Sequence, residues 1–111
     1  MNSEPLTQVG IEIKLMRLLE DLEEKTEDFE FLSVKAGEAE ASFKVAWAKK
    51  YLASEGSIRQ REAIADVAVG DAFENHKIAE ALMKSGRERL TTLRTMIDAL
   101  RTLNANVRAQ V

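Results

Sequence analysis

The side chains best suited to acid–base or metal chemistry form one acidic stretch, with a single histidine far along the chain. Seven of the eleven residues from Glu20 to Glu30 are acidic. Helices that hold two metal ions combine such carboxylates with a Glu-x-x-His motif, whereas Phe73 stands three residues before His76, the only histidine. We therefore interpret the acidic stretch as the solvated face of a helix and expect no metal, no cofactor and no small-molecule substrate.

Nucleophilic catalysis and nucleotide binding also lack the residues that they need. The chain has no cysteine, and one histidine supports neither a catalytic triad nor a set of ligands within one chain. Gly56, Gly70 and Gly86 are isolated, and none precedes the Lys-Ser/Thr pair of a phosphate-binding loop. The sequence predicts that the protein is not an enzyme.

One place interleaves aromatic and basic side chains. Trp47 and Tyr51 are one helical turn apart, and the cations near them are Lys49, Lys50, Arg59 and Arg61. Unpaired bases stack on aromatic rings while cations hold the phosphates, so this arrangement fits single-strand binding. An aromatic pair at this spacing is also typical of a helix core, and both interpretations stay open.

A second basic feature is a row of arginines seven residues apart: Arg87, Arg94, Arg101 and Arg108. It belongs to a charge gradient, because residues 1–40 carry a net charge of −7 and residues 77–111 a net charge of +4. The row either faces a polyanion or pairs with acids of an antiparallel first arm. The acids expected opposite it are Glu20, Glu24, Glu27 and Glu38.

Helices are the elements that position these residues. With 45% hydrophobic and 32% charged residues but only one proline, the composition is that of long helices. One repeat steps by four and three residues through Ile11, Leu15, Leu18, Leu22, Lys25, Phe29, Leu32, Ala36, Ala39, Phe43, Ala46 and Lys50. Its phase crosses Gly37 unchanged and predicts one helix over residues 7–53, capped by Thr7. A kink between Ser33 and Gly37 is the alternative.

The sequence Ser54-Glu55-Gly56-Ser57 predicts a turn, since Gly56 can adopt a left-handed conformation and Ser57 can cap the next helix. Helical spacing then resumes and predicts a second arm over residues 58–108, with weaker packing or a bend around Gly70. The positions of its apolar face are Ile64, Val67 or Ala68, Ala72, Ala79, Leu82 or Met83, Gly86, Leu90, Leu93, Ile97, Leu100, Asn104 and Val107.

These elements predict an all-α fold with a single domain, a long antiparallel helical hairpin with coiled-coil-like packing. Two helices leave part of each apolar face exposed, so we expect oligomerisation to complete the fold, either as a dimeric four-helix bundle or as a larger ring. The residues expected at that oligomer interface are Leu15, Leu18, Leu22, Phe29, Phe43, Trp47, Leu93, Ile97 and Leu100.

Three segments carry a resemblance to known proteins. They are FKVAWAKKYL at residues 43–52, EGSIRQR at 55–61 and LRTLNANVR at 100–108. Residues 39–108 resemble small helical proteins of phage and prophage replication or recombination regions, and their layout is similar to that of UvsY-type recombination mediators. The resemblance implies an oligomeric accessory protein that helps to load a recombinase onto single-stranded DNA covered by single-strand-binding protein.

The leading hypothesis is therefore a homo-oligomeric accessory protein of DNA recombination or replication. It would contact single-stranded DNA, recombination proteins or both. The DNA-binding residues would be the arginine row and the four cations near the turn, which we call the tip cations: Lys49, Lys50, Arg59 and Arg61. The alternative is a protein-interaction or scaffold module that binds no DNA, and a less favoured one is an inhibitor whose acidic arm mimics DNA. No stretch approaches the ~18 apolar residues of a membrane span, and we expect a cytoplasmic location, in the host cell if the protein is phage-encoded.

Overall fold

The computed structural model describes residues 7–110. These residues form three helices and no strand: α1 spans Gln8–Ala53, α2 Ile58–Ala68 and α3 Gly70–Ala109. Their contacts define two compact units, one made of the chain up to Asp28 with the chain from Gly86 onward, and one made of Phe29–Ser85. The predicted all-α helical hairpin is confirmed, with α1 as its first arm and α2 and α3 as its second.

The first arm is one uninterrupted helix. The side-chain oxygen of Thr7 accepts a hydrogen bond from the Gly10 N–H at 3.0 Å, so Thr7 caps the helix as predicted. The helix continues through Gly37 without a break, as the unchanged phase of the repeat predicts. The apolar repeat on both sides of Gly37 holds the helix in register across it.

The turn between the arms has the predicted chemistry. Gly56 has a φ of 113°, a conformation that residues with a Cβ rarely adopt. The Ser57 hydroxyl accepts a hydrogen bond from the Gln60 N–H at 3.2 Å, and the Gln60 side chain accepts one from the Ser57 N–H at 2.9 Å. This reciprocal pair is a capping box, which fixes where α2 begins.

The second arm is not the single helix over residues 58–108 that the spacing predicts. The helix ends at Ala68 and begins again at Gly70, with Val69 between them at φ −106° and ψ 20°. The interruption lies beside Gly70, where the sequence predicts a bend, and glycine in a helix interior costs about 1 kcal/mol relative to alanine. Backbone hydrogen bonds straddle it: the Val69 N–H donates to the Ala65 carbonyl at 3.1 Å, and the Phe73 N–H donates to the Val69 carbonyl at 2.9 Å.

The face of each arm that packs against the other arm, which we call the seam, follows the predicted repeat in α1. Every apolar position from Ile11 to Ala46 is buried or half-buried, whereas Lys50 is exposed. In the second arm the seam comprises Ala65, Val69, Ala72, His76, Ala79, Met83, Gly86, Leu90, Leu93, Ile97, Leu100, Asn104 and Val107, all buried or half-buried.

Two predicted seam positions in the second arm are wrong, Ile64 and the pair Val67 or Ala68, whereas the pair Leu82 or Met83 is confirmed through Met83. Ile64 is 41% exposed and Val67 is 85% exposed, while Ala65 is fully buried. Leu82 is also exposed, and Met83 takes the seam position. Ala65 lies four residues before the buried Val69 and therefore on the same face of the helix. Ile64 and Val67 have larger apolar side chains but lie on other faces.

The residues expected at an oligomer interface lie on the seam within one chain or beside it. All nine are buried or half-buried, and Ile97 is only 3% exposed. The chain's other arm covers part of their area, and seven of the nine are only half-buried, so their role in an oligomer stays a prediction. The exposed apolar residues of α1 offer a second surface, a heptad-spaced set on the face opposite the seam that we call the outward row. It consists of Phe31, Val34, Ala41, Val45, Ala48 and Leu52, and the exposed Glu38 occupies the one position of the same spacing that is not apolar.

Candidate nucleic-acid interface

Three of the four tip cations are open to solvent. The end of α1 exposes Lys49 and Lys50, and the first turn of α2 exposes Arg59. The end of α1 is held by the Ser54 hydroxyl, which donates to the Lys50 carbonyl at 2.6 Å. These three side chains are placed where a polyanion can reach them.

Arg61, the fourth tip cation, is used inside the protein. Its guanidinium lies over the Tyr51 ring, 4.3 Å from the ring centroid, and donates two hydrogen bonds to the Tyr51 carbonyl at 3.2 and 3.3 Å. These contacts tie α2 to the last turns of α1. Arg61 is half-buried and is therefore a positioning residue of the tip.

The aromatic pair is also engaged within the chain. The rings of Trp47 and Tyr51 stack at 5.2 Å with an interplanar angle of 12°. The Trp47 indole Nε1–H donates a 2.8 Å hydrogen bond to Asp66 Oδ1 on α2. The Tyr51 ring is in contact with both Trp47 and Arg61. The pair therefore packs within the chain, as the helix-core interpretation predicts.

Replacing Arg61 with alanine is expected to lower the free energy of unfolding by about 1–2 kcal/mol, since it removes two charge-assisted hydrogen bonds and a cation–π contact. Arg61→Lys should recover less than half of this, because an ammonium cannot stack and donate in the same planar geometry. Urea unfolding followed by Trp47 fluorescence measures both. Equal stability of the alanine variant and the wild type would contradict the tip geometry.

The arginine row is exposed at all four positions. Arg94, Arg101 and Arg108 form no ion pair with any residue of the described part of the chain, whereas Arg87 does have a partner interaction. The expected pairing with the first arm is therefore not formed by these three arginines. They follow seam residues by one position and flank the seam along α3.

The acids expected opposite the row explain why it stays unpaired. Glu20, Glu24, Glu27 and Glu38 each lie two residues after a seam position of α1, which places them outside the seam on the face turned away from the second arm. All four are exposed. Glu24 and Glu38 approach lysines of their own helix, Lys25 at 3.8 Å and Lys35 at 3.6 Å.

His76 fills the seam position between Ala72 and Ala79, beside the carboxylate of Glu80. Its ring stacks on Phe43 at 5.7 Å, and its Nε2 is 3.8 Å from Glu80 Oε2. A hydrogen bond from Lys84 lowers the pKa of Glu80, helped by the charge of Lys77. A carboxylate kept ionised in this way is a poor proton donor near neutral pH.

Glu40, a carboxylate on α1, is also kept ionised by a nearby lysine. Lys44 Nζ lies 2.8 Å from Glu40 Oε1, and this hydrogen bond and the lysine charge lower the pKa of Glu40. Stability from a carboxylate with a lowered pKa is present at neutral pH and is lost as the pH falls through that pKa. Both carboxylates therefore favour the fold at neutral pH.

The described residues contain neither a metal-binding cluster nor a membrane-spanning helix. Within residues 7–110, no three His, Asp or Glu side chains are grouped so that they could hold a metal ion. None of the helices in that range combines the length and apolarity needed to cross a membrane. Comparison with protein-family models, with curated proteins and with solved structures finds nothing that matches this chain.

Proposed function

We propose that this protein is a non-catalytic accessory protein of DNA recombination or replication that binds single-stranded DNA along the arginine row of α3. The observation that carries the proposal is the state of Arg94, Arg101 and Arg108, which are exposed and form no ion pair within the described chain. Arginines without an internal partner have all their N–H groups available to donate to a phosphate ligand.

The spacing of the row suits a flexible polyanion better than a compact one. Seven residues of α-helix advance about 10.5 Å, so the three unpaired guanidinium groups span about 21 Å along one side of α3. The separation is close to the Debye length at ordinary ionic strength, which means that each arginine attracts a phosphate nearly independently. A single strand can adjust its backbone to meet all three.

The experiment is a fluorescence-anisotropy titration of a labelled oligothymidine between 50 and 200 mM salt. Three phosphate contacts predict a slope of about −2 for the logarithm of the affinity against the logarithm of the salt concentration. The double variant Arg94→Ala/Arg101→Ala should bind roughly tenfold more weakly at the lowest salt, with a slope of about −0.7.

The matched control is Lys14→Ala/Arg17→Ala, which removes the same charge from exposed positions of α1. It should leave the slope near that of the wild type, because neither side chain belongs to the row. If both double variants lost the same affinity for the oligonucleotide, net charge rather than the arginine row would account for the binding. No binding of the wild type at 50 mM salt would refute the DNA-binding proposal.

A second candidate function, a protein-interaction module that self-associates, is favoured by the outward row. Phe31, Val45 and Leu52 are 61%, 53% and 75% exposed on the face of α1 opposite the seam. Apolar residues at heptad spacing on an exposed helix face pair with another helix of the same pattern. We propose a second copy of this chain as the occupant, since each copy brings an identical row and residues 29–85 carry a net charge of only −1.

The two candidate functions are separable because they use different residues. DNA binding that survives loss of self-association would support a DNA-binding hairpin. Self-association at high salt without any affinity for the oligonucleotide would instead select the interaction module.

A further inference from the structure

A cleft of about 300 Å³ lies where α2 gives way to α3. It is lined by Phe43 on α1, by Asp66 on α2 and by Val69, Gly70 and Phe73 at the interruption. An added Cβ on Gly70 would meet nothing within 4 Å, so the backbone there leaves open space. The interruption of the second arm therefore creates a recess beside the two phenylalanines.

The lining of the cleft combines two aromatic rings and an aliphatic side chain with one carboxylate. The rings of Phe43 and Phe73 meet at 5.3 Å with an interplanar angle of 60°. Val69 is buried, and Asp66 supplies the only charge of the lining. Aromatic faces beside a carboxylate attract a cation that also has an apolar portion.

One oxygen of the Asp66 carboxylate is available to accept hydrogen bonds from such a ligand. Its Oδ1 accepts the hydrogen bond from Trp47 Nε1 at 2.8 Å, which fixes the orientation of the carboxylate. Within residues 7–110, its other oxygen has no hydrogen-bond partner. The Phe73 ring already attracts one cation, since Lys77 Nζ lies 5.5 Å from its centroid.

We infer that this cleft binds an arginine side chain presented by a partner protein. The guanidinium group lies against the Phe73 ring, which is 45% exposed, and donates to the free Asp66 oxygen, while the alkyl portion contacts Val69 and the Gly70 backbone. Arginine fits better than lysine, because a planar guanidinium stacks on aromatic rings and binds a carboxylate through two N–H groups. The inference does not depend on DNA binding by α3, which uses other residues.

The test uses the full chain labelled with ¹⁵N and follows the indole N–H resonance of Trp47, the only tryptophan. This N–H is bonded to Asp66 and reports directly on the cleft. The probe is N-acetyl-arginine N-methylamide, and its matched neutral analogue is the corresponding citrulline compound, which has nearly the same shape without the charge. We expect a saturable shift with the arginine probe and at least threefold weaker binding of the citrulline probe.

Asp66→Asn should weaken binding of the arginine probe by roughly threefold, since it removes the charge but keeps an oxygen to accept from Trp47. Phe73→Leu should weaken it similarly by removing an aromatic face at nearly constant apolar volume. Glu62→Gln is the control: it removes an equal charge from an exposed position of α2 outside the cleft and should change nothing. Circular dichroism establishes that each variant is folded.

Three results would overturn the inference. One is an absence of any shift with the arginine probe up to the limit of its solubility. Another is equal affinity for the arginine and citrulline probes, which would mean that the cleft takes any chain of that shape. The third is unchanged affinity in a folded Asp66→Asn variant.

Discussion

Replacing Ile97 with alanine is expected to lower the free energy of unfolding by about 3 kcal/mol. Ile97 is 3% exposed and lies on the seam of α3 between Leu93 and Leu100. A hairpin with few fully buried side chains cannot close a cavity at such a position, so the loss combines the transfer free energy of the side chain with the cost of the cavity. Urea denaturation followed by circular dichroism measures it.

The control for this prediction is the adjacent residue, Met96, which is 46% exposed. Met96→Ala should cost less than about 1 kcal/mol, because most of its side chain is already in water. A loss at Ile97 as small as the loss at Met96 would contradict the seam.

Substitution of the outward row is expected to abolish self-association while the helices remain folded. The double variant Val45→Glu/Leu52→Glu places two charges where the second copy packs, and an unpaired charge in an interface costs several kcal/mol. The dissociation constant of the self-associated form should rise by roughly 100-fold or more. Sedimentation equilibrium measures it, and circular dichroism tests the helices.

Ile13→Glu/Met16→Glu is the matched control for the outward row. It adds the same charge to the same helix at positions that are 46% and 63% exposed but lie outside the row. Self-association should persist in this variant. If both double variants dissociate alike, net charge rather than the outward row would control assembly.

The sequence predicts α1 and the turn closely because each has a strong local cause. The seam repeat of α1 is unbroken, so its phase determines which residues are buried even across Gly37. The turn is fixed by Gly56, which takes a positive φ, and by Ser57, which forms a capping box. These features depend on residues that are neighbours in the sequence.

The interruption at Val69 and the burial of Ala65 could not be read from the spacing. Several apolar residues of α2 compete for the seam, and Ile64 and Val67 are larger than Ala65. Which residue is buried depends on how α2 is held against α1, through the Trp47–Asp66 hydrogen bond. That contact joins residues nineteen positions apart and has no local signature.

The candidate site was predicted in part. The sequence identifies the arginine row and the tip cations, but it cannot say which of them have partners within the chain. Arg61 packs on Tyr51 because the turn brings α2 back along α1, whereas the expected acids opposite the row point outward from α1. The cleft beside Phe73 had no sequence signal, since it arises from the interruption itself.

We propose both that the helical hairpin binds single-stranded DNA and that it self-associates. Light scattering of the purified protein at 50 mM salt, with and without an oligothymidine, tests both proposals in one measurement. We predict a mass at least twice that of one chain without DNA and a further increase by the mass of bound oligonucleotide, which reverses at 1 M salt. A mass of one chain that the oligonucleotide does not change would contradict the account.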